Sequence, residues 1–312
     1  MMNGHYQNKI EKSGRRSKAK CRTRLWLSAA RGVLFCAAMV SVRLCAAAAV
    51  EACPPAASIH IVQGGGEGWD RGARAAGMGG AGMAVAGGAE SALRNPAMLL
   101  AAAGGGVLCV TPARFEMTEL ASAAAVWTEA LAGWNAALAL QRFGHELHAE
   151  HRIGAIVAVP LAASLAAGVR ISALHIGFER YGGTMLPVLD VGVRCMLGGG
   201  VQVGAAGFAL NMPSIDHDER IPAGLSAGVA WRDDGLLLAL DYEKDARVAT
   251  NLRLGAEYRL LDRLLLRCGA STLTREWTAG FGLRHASLIL DYAYALHTEL
   301  GATHTIGIGF QP

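Results

Sequence analysis

The sequence predicts an all-β fold: a closed antiparallel transmembrane β-barrel of about 14 strands, with an N-terminal Gly/Ala-rich plug inside its lumen. The first observation is high hydropathy without a long apolar run. The chain of 312 residues is 52% hydrophobic and has a mean hydropathy of +0.29. Yet after about residue 55 it contains no run of ~20 apolar residues, the length that a transmembrane helix needs. The second observation is a period of two, in segments of about ten residues, from about residue 107 to the end.

The alternation recurs along the chain. Apolar residues occupy every second position in the runs 189–195, 236–242, 252–258, 288–294 and 306–310. Glycine- and aspartate-rich turn sequences, such as those at 197–200 and 232–235, separate the runs. A strand places the intervening charges on one face, whereas a helix would scatter them around its axis. Counting the runs gives roughly 14 strands, an even number, as is typical of bacterial barrels.

Two irregular regions are expected within this pattern. The run from Leu165 to Tyr181 switches phase near Ala173, which predicts a β-bulge or an additional turn. The longest loops are predicted near residues 145–152 and 211–222.

A β-sandwich or a water-soluble barrel would also show alternation. The membrane barrel is favoured because few helical segments exist to cover an apolar sheet face, and because the second face mixes small residues with charges. Closure also satisfies every backbone group in lipid and leaves no sheet edge. Aromatic residues near the ends of runs fit an interfacial girdle. These are Trp231, Tyr242, Tyr258, Trp277, Tyr294 and Phe310.

The N-terminal residues 1–52 have the layout of a secretory signal peptide. They hold ten basic and two acidic residues, a charge of +8, while the rest of the chain carries −4. A basic region, an apolar stretch and a run of small residues follow in that order. A signal anchor and a basic nucleic-acid-binding tail are the alternatives, and Arg31 and Arg43 interrupt the apolar run. Export to the cell outer membrane is therefore expected, without a nucleic-acid partner. Glu51 argues against lipidation of Cys53.

Residues 53–105 form the predicted plug, and residues 106–312 the barrel. The plug contains a G-x-G-x-x-G spacing, but no apolar strand precedes it and no acidic residue follows at the distance that a dinucleotide site requires. A P-loop is also absent from the sequence. A close-packed Gly/Ala segment is the better interpretation. The candidate ligand-path residues are Gly77, Gly79, Gly80, Gly82, Asn95, Pro96 and Ala97.

Other chemistry-bearing residues indicate a charged lumen and not an active centre. Residues 145–151 are rich in histidine and glutamate but lack the H-E-x-x-H spacing, and residues 216–219 lack the spacing of a calcium loop. Cys109, Cys195 and Cys268 are isolated, so no zinc site or disulfide framework is expected. No metal, cofactor or catalytic residue is predicted. The predicted lumen charges, expected to pair across strands, are Arg194, Arg253, Glu257, Arg259, Arg267, Arg284 and Asp291.

The two ends of this region resemble a known family. Residues 72–81 with Asn95-Pro96-Ala97, and residues 252–258, 278–284 and 290–304, resemble FadL/PorV-type outer-membrane proteins, including the short FadL-like proteins of treponemal spirochaetes. The resemblance implies a 14-stranded barrel with an N-terminal plug, in which the Asn-Pro-Ala stretch moves to open a hydrophobic path. The chain departs from FadL in its short loops and in the Gln311-Pro312 that follows Phe310.

Two function classes follow from this resemblance. The first is a conduit for long-chain fatty acids or other small hydrophobic molecules, and the second is a non-transporting, PorV-like surface or scaffold protein of the outer membrane. An enzyme is a distant third and is not predicted. The expected partners are outer-membrane lipid, a fatty acid or other hydrophobic ligand, and the barrel-assembly machinery.

Overall fold

The structure, a computed structural model, describes residues 72–102, 104–215, 220–245 and 249–312. Within these ranges, fourteen strands follow two short helices and a 3₁₀ helix. The first seven strands are β1 Gly105–Thr111, β2 Ser122–Leu131, β3 Trp134–Gly144, β4 His148–Pro160, β5 Leu165–Phe178, β6 Gly182–Gly198 and β7 Val201–Phe208. The last seven are β8 Gly224–Asp233, β9 Leu236–Asp245, β10 Asn251–Leu261, β11 Leu264–Ser271, β12 Glu276–His285, β13 Leu288–His297 and β14 Gly301–Phe310.

The strands form one closed barrel in which each pairs with its neighbours in sequence. β1 pairs antiparallel with β2 and also with β14, where Gly106 lies opposite Phe310. Closure leaves no unpaired edge, so the backbone of the sheet is satisfied without water. The prediction of a closed antiparallel barrel of about 14 strands is confirmed. No helix among the described residues is long and apolar enough to span a membrane.

The two faces of the wall differ as a membrane barrel requires. Large apolar side chains such as Trp127, Ile171 and Ile308 are 55–64% exposed on the outer face. Polar side chains such as Arg170 and Asp190 are fully buried on the inner face. A barrel with an apolar outer belt and its charged side chains turned inward is stable in lipid and would aggregate in water.

The two ends of the barrel differ in loop length. At one end, tight turns at 132–133, 199–200 and 234–235 join the strands, and we call this the short-turn end. The opposite, long-loop end carries the connections 112–121 and 209–223. In bacterial outer-membrane barrels the short turns are periplasmic and the longer loops extracellular.

The predicted loop at 145–152 is wrong. The connection between β3 and β4 is residues 145–147 alone, and β4 begins at His148. The segment is polar throughout because His148 and Glu150 point inward and bind each other, while His151 points outward. The other long connection, 112–121, contains the short 3₁₀ helix Thr118–Leu120 and was not predicted.

The predicted bulge near Ala173 is also wrong. β5 pairs with β4 and β6 along its whole length without a shift in register. The phase switches because the side chains that face the interior change there from polar to apolar. Ile171 faces outward, whereas Leu174 and Ile176 face inward into an apolar cluster and His175 takes the outward position.

Candidate functional site

Residues 72–102, here called the inner segment, contact the inner face of the barrel. They form helix α1 Ala73–Gly77, helix α2 Ser91–Arg94 and the 3₁₀ helix Pro96–Ala101. Asn95 begins the 3₁₀ helix: its side chain accepts a hydrogen bond from the Ala97 N–H, and Pro96 occupies the first turn. Most of the segment is buried. The predicted plug bounds 53–105 extend beyond it, since residues 53–71, like the signal peptide 1–52, lie outside the described residues.

A set of inward glycines lets the inner segment reach the wall. A Cβ added to any of these glycines would lie 2.1–3.2 Å from an atom of the inner segment, closer than almost all real side-chain contacts. The glycine girdle, as we call this set, consists of Gly168, Gly192, Gly204, Gly228, Gly255, Gly269, Gly280 and Gly307. It spans eight of the fourteen strands, so the segment packs backbone against backbone around much of the barrel.

The glycine motif of the inner segment meets this girdle directly. Gly79 has a φ of +68°, and a Cβ there would lie 2.5 Å from the Ala270 nitrogen. The Gly79 N–H donates to the Thr278 hydroxyl at 2.8 Å, and that hydroxyl donates to the Gly77 carbonyl at 3.0 Å. Gly79 is therefore glycine because the barrel wall leaves no room for a side chain. Gly80 also has a positive φ, of +79°.

A buried network of four charges joins the inner segment to β10, β11 and β13. Arg74 donates two hydrogen bonds to the Glu257 carboxylate, from Nε at 2.8 Å and from Nη2 at 2.7 Å. Arg267 donates to the same carboxylate at 2.8 Å and to Asp291 at 2.6 Å. The two arginines and two carboxylates sum to zero charge, the condition under which buried ions are tolerated.

A second anchor lies on β9. The Asp241 carboxylate accepts the Gly82 N–H at 2.7 Å and the Met83 N–H at 2.9 Å, and Arg94 lies 3.8 Å from the same oxygen. The absence of a side chain at Gly228 makes room for the Asp241 carboxylate, because a Cβ at Gly228 would lie 2.1 Å from it. The backbone of the inner segment thus turns around one buried anion.

Asn95 ties together the two halves of the inner segment and the wall. Its amide nitrogen donates to the carbonyls of Met83 and Val193, each at 3.0 Å. Its oxygen accepts the Ala97 N–H at 3.0 Å, so the fully buried amide is well satisfied. The whole predicted Asn95-Pro96-Ala97 stretch packs on the girdle glycines of β5 and β6, since Asn95 and Pro96 lie against Gly192, and Pro96 and Ala97 lie against Gly168.

A third buried group of charges, here called the charged layer, was not predicted from the sequence. Arg152 and Arg170 both bind Asp190, with Arg170 Nε 2.6 Å from the carboxylate, and Arg170 also donates to the Leu93 carbonyl at 3.2 Å. Strand alternation assigns these side chains to the inner face and could have identified them. The phase switch near Ala173 obscured that pattern.

The structure separates the predicted lumen charges into two groups. Glu257, Arg267 and Asp291 meet in one network, and Arg253 pairs with Glu243 and lies 3.5 Å from the Gly80 carbonyl. Arg194, Arg259 and Arg284 have no ion-pair partner among the described residues; Arg284 lines a small cavity with Arg74, Glu90 and Asp291.

Other parts of the interior hold apolar clusters. One cluster packs Leu93 and Leu99 of the inner segment on Val126 and Ile156, and another packs Met78 and Val85 on β8 and β9. Toward the long-loop end a third cluster joins the inner face of β5 and β6 to two described residues of the connection between β7 and β8. It contains Leu174, Ile176, Leu186, Val188, Ala209 and Ile221.

Two of the cavities beside the inner segment have volumes of about 30 and 20 Å³. Each has room for only one or two waters. Within the described ranges, no group of three or more metal-ligating side chains converges, and Cys109, Cys195 and Cys268 are free thiols. The acidic cluster at 216–219 lies outside the described residues.

These observations define a closed membrane barrel whose interior is occupied by its own N-terminal segment. Solved structures with this fold include the CymD monoaromatic hydrocarbon channel, with 17% identity and a TM-score of 0.57 over 77% of this chain and 97% of that one. The Pseudomonas putida toluene transporter TodX has 11% identity and a TM-score of 0.58 over 77% and 96% of the two chains. A Pseudomonas aeruginosa FadL homologue has 11% identity and a TM-score of 0.58 over 77% and 98%.

At these identities the likeness concerns the fold. The fold part of the FadL resemblance is therefore supported, while its treponemal and PorV aspects stay predictions. No protein-family model matches the chain, and no curated protein matches it either.

Proposed function

We propose that the protein is an outer-membrane conduit for small hydrophobic molecules, closed in the present state by the inner segment. The observation that carries the proposal is that apolar clusters occupy part of the interior. Water-filled porins line their lumen with polar side chains. Here the inner face of β5 and β6 instead buries an apolar cluster at the long-loop end, with a second one deeper in the lumen against the inner segment.

The path between these clusters crosses one charged layer. Arg170 lies two inward positions from Leu174, and Asp190 lies one inward position from Val188, so this layer adjoins the apolar cluster at the long-loop end. Since Arg170 binds both Asp190 and the Leu93 carbonyl, a shift of the inner segment would break a contact of this layer. The cavities of about 30 and 20 Å³ beside the segment are too small for a solute such as toluene, so passage there requires the segment to move.

The substrate class rests on the same reasoning and on the similar structures. CymD is described as a monoaromatic hydrocarbon channel and TodX as a toluene transporter. We infer a hydrophobic solute, with long-chain fatty acids as one candidate and monoaromatic hydrocarbons as another. The non-transporting scaffold alternative draws no support from these comparisons.

Uptake in cells tests the proposal. Radiolabelled oleate, toluene and a polar solute such as glucose are offered to cells with and without the protein. Faster uptake of at least one hydrophobic solute, with unchanged glucose uptake, is the expected result. Equal uptake of every solute by both cell types would refute the conduit. Mass spectrometry of lipids that co-purify with the barrel then identifies the ligand.

A further inference from the structure

The outer face of the barrel carries a polar row near the long-loop end of β3, β4 and β5. Arg142 lies directly opposite His151, and His151 lies directly opposite His175. Side chains paired in this way have Cβ atoms about 5 Å apart. The rings of His151 and His175 have centroids 6.4 Å apart. These three nitrogen-bearing side chains, here called the outer basic row, form one lateral cluster on the lipid-facing wall.

Arg142 is unlike the other arginines of the sheet. Strand alternation places all the remaining arginines of the described strands on the inner face. Arg142 is exposed, and no described residue forms an ion pair with it. A bare charge facing hydrocarbon is costly, and the cost is small only near the membrane interface. The position of Arg142, two residues from the end of β3, fits that interface, where an anion can neutralise it.

A groove of about 280 Å³ lies in the outer wall next to this row. Its exposed apolar sides come from Leu108, Leu140 and Ile153, and Arg142 and His151 line its end. In register, Ala125 lies between Leu108 and Leu140, and Ala123 lies beside Arg142. The groove exists because two alanines on β2 stand between longer side chains on β1 and β3.

We propose that the groove and the outer basic row bind one anionic glycerophospholipid of the surrounding membrane. Part of an acyl chain lies over the alanines, and the phosphate binds Arg142. The planar guanidinium can give two parallel hydrogen bonds to a phosphate, and the two imidazoles add further N–H donors. One full positive charge and one narrow groove match a lipid with one phosphate. Lipid A, which carries two phosphates and several more chains, exceeds this site.

The experiment measures lipid bound to the purified full-length barrel. Native mass spectrometry follows titration with phosphatidylglycerol or with phosphatidylcholine, whose choline neutralises the phosphate. The wild type is expected to prefer phosphatidylglycerol. The triple variant R142Q/H151Q/H175Q should bind phosphatidylglycerol at least about tenfold more weakly, because it loses the charge-assisted hydrogen bonds.

Two further variants separate the site from general effects. R180Q removes an exposed arginine in the turn 179–181 at the same end and should bind like the wild type. A125F fills the groove without touching the basic row and should weaken phosphatidylglycerol binding. Heat-modified mobility on gels shows that each barrel is folded. Equal binding of the two lipids, unchanged binding by the triple variant, or preference of the wild type for lipid A would overturn the proposal. Because the site lies outside the lumen, its test is independent of transport.

Discussion

Substitution of Glu257 by glutamine is expected to release the inner segment. The Glu257 carboxylate accepts two hydrogen bonds from Arg74 and one from Arg267, and the Arg74 and Glu257 side chains are only 6% and 4% exposed. Glutamine keeps the shape but leaves Arg74 buried without its counter-ion. Removing one partner of a buried ion pair costs about 3–5 kcal/mol. At ~1.4 kcal/mol per factor of ten, the open population of the segment should rise by about 10²- to 10⁴-fold.

Hydrogen exchange measured by mass spectrometry reports this population. Amides of α1 should exchange faster by that factor, while amides of the barrel strands stay protected. E299Q is the matched control, because Glu299 pairs with Arg275 at 3.3 Å on the exposed surface, where such a pair contributes about 0–1 kcal/mol. If α1 in E257Q exchanges at the wild-type rate while the barrel is folded, the buried network does not hold the segment and the reasoning fails.

Three further predictions concern the seating of the inner segment. Gly79→Ala should prevent the inner segment from seating, because the new Cβ would lie 2.5 Å from a β11 backbone nitrogen. Gly82→Ala is the control, since its new Cβ meets only ordinary contacts at 3.6 Å. Equal rates of proteolysis of the inner segment in the two variants would contradict this prediction. Asp241→Asn should weaken seating by about 1.5–3 kcal/mol, since its charge holds two backbone N–H groups, and wild-type amide protection at Gly82 would contradict it. Burial, reinforced by the Asp291 carboxylate, raises the pKa of Glu90 above its usual range. A group with a raised pKa stabilises the seated state at low pH and loses that contribution as pH rises through the raised value. Protection of the segment should therefore decrease with rising pH in the wild type, and a Glu90→Gln variant with the same slope would exclude this cause.

The barrel could be predicted from the sequence because the signal is local. Alternation with a period of two, interrupted by glycine and aspartate turns, is a property of each ten-residue run, and so the strand number and the inward position of Glu257 and Asp291 follow directly. The prediction of a β-bulge was wrong because the inward side chains change from polar to apolar along β5. Around Ala173 the apolar face turns inward to cover a cluster inside the barrel, and the pattern alone reads as a bulge.

The seating of the inner segment could not be predicted, because it depends on pairs distant in the chain. Arg74 and Glu257 are 183 residues apart, and Gly82 and Asp241 are 159 apart. No local pattern indicates which inward carboxylate meets which arginine. The glycine girdle shows the same limit: the sequence indicates many inward small residues, but only the closed barrel shows that they face one segment.

A reversible tether of the inner segment tests the central claim, that this segment gates a hydrophobic conduit. A Cβ added to Gly307 would lie 2.9 Å from the Ala73 Cβ and 3.3 Å from the Cys109 Sγ, so these two side chains lie close together. An A73C variant therefore places two thiols side by side, and loss of free thiol on oxidation shows that the disulfide has formed. Uptake of the hydrophobic solute should fall on oxidation and recover on reduction, with A73C/C109S unaffected by either treatment. Wild-type uptake through the fully oxidised A73C barrel would contradict the account.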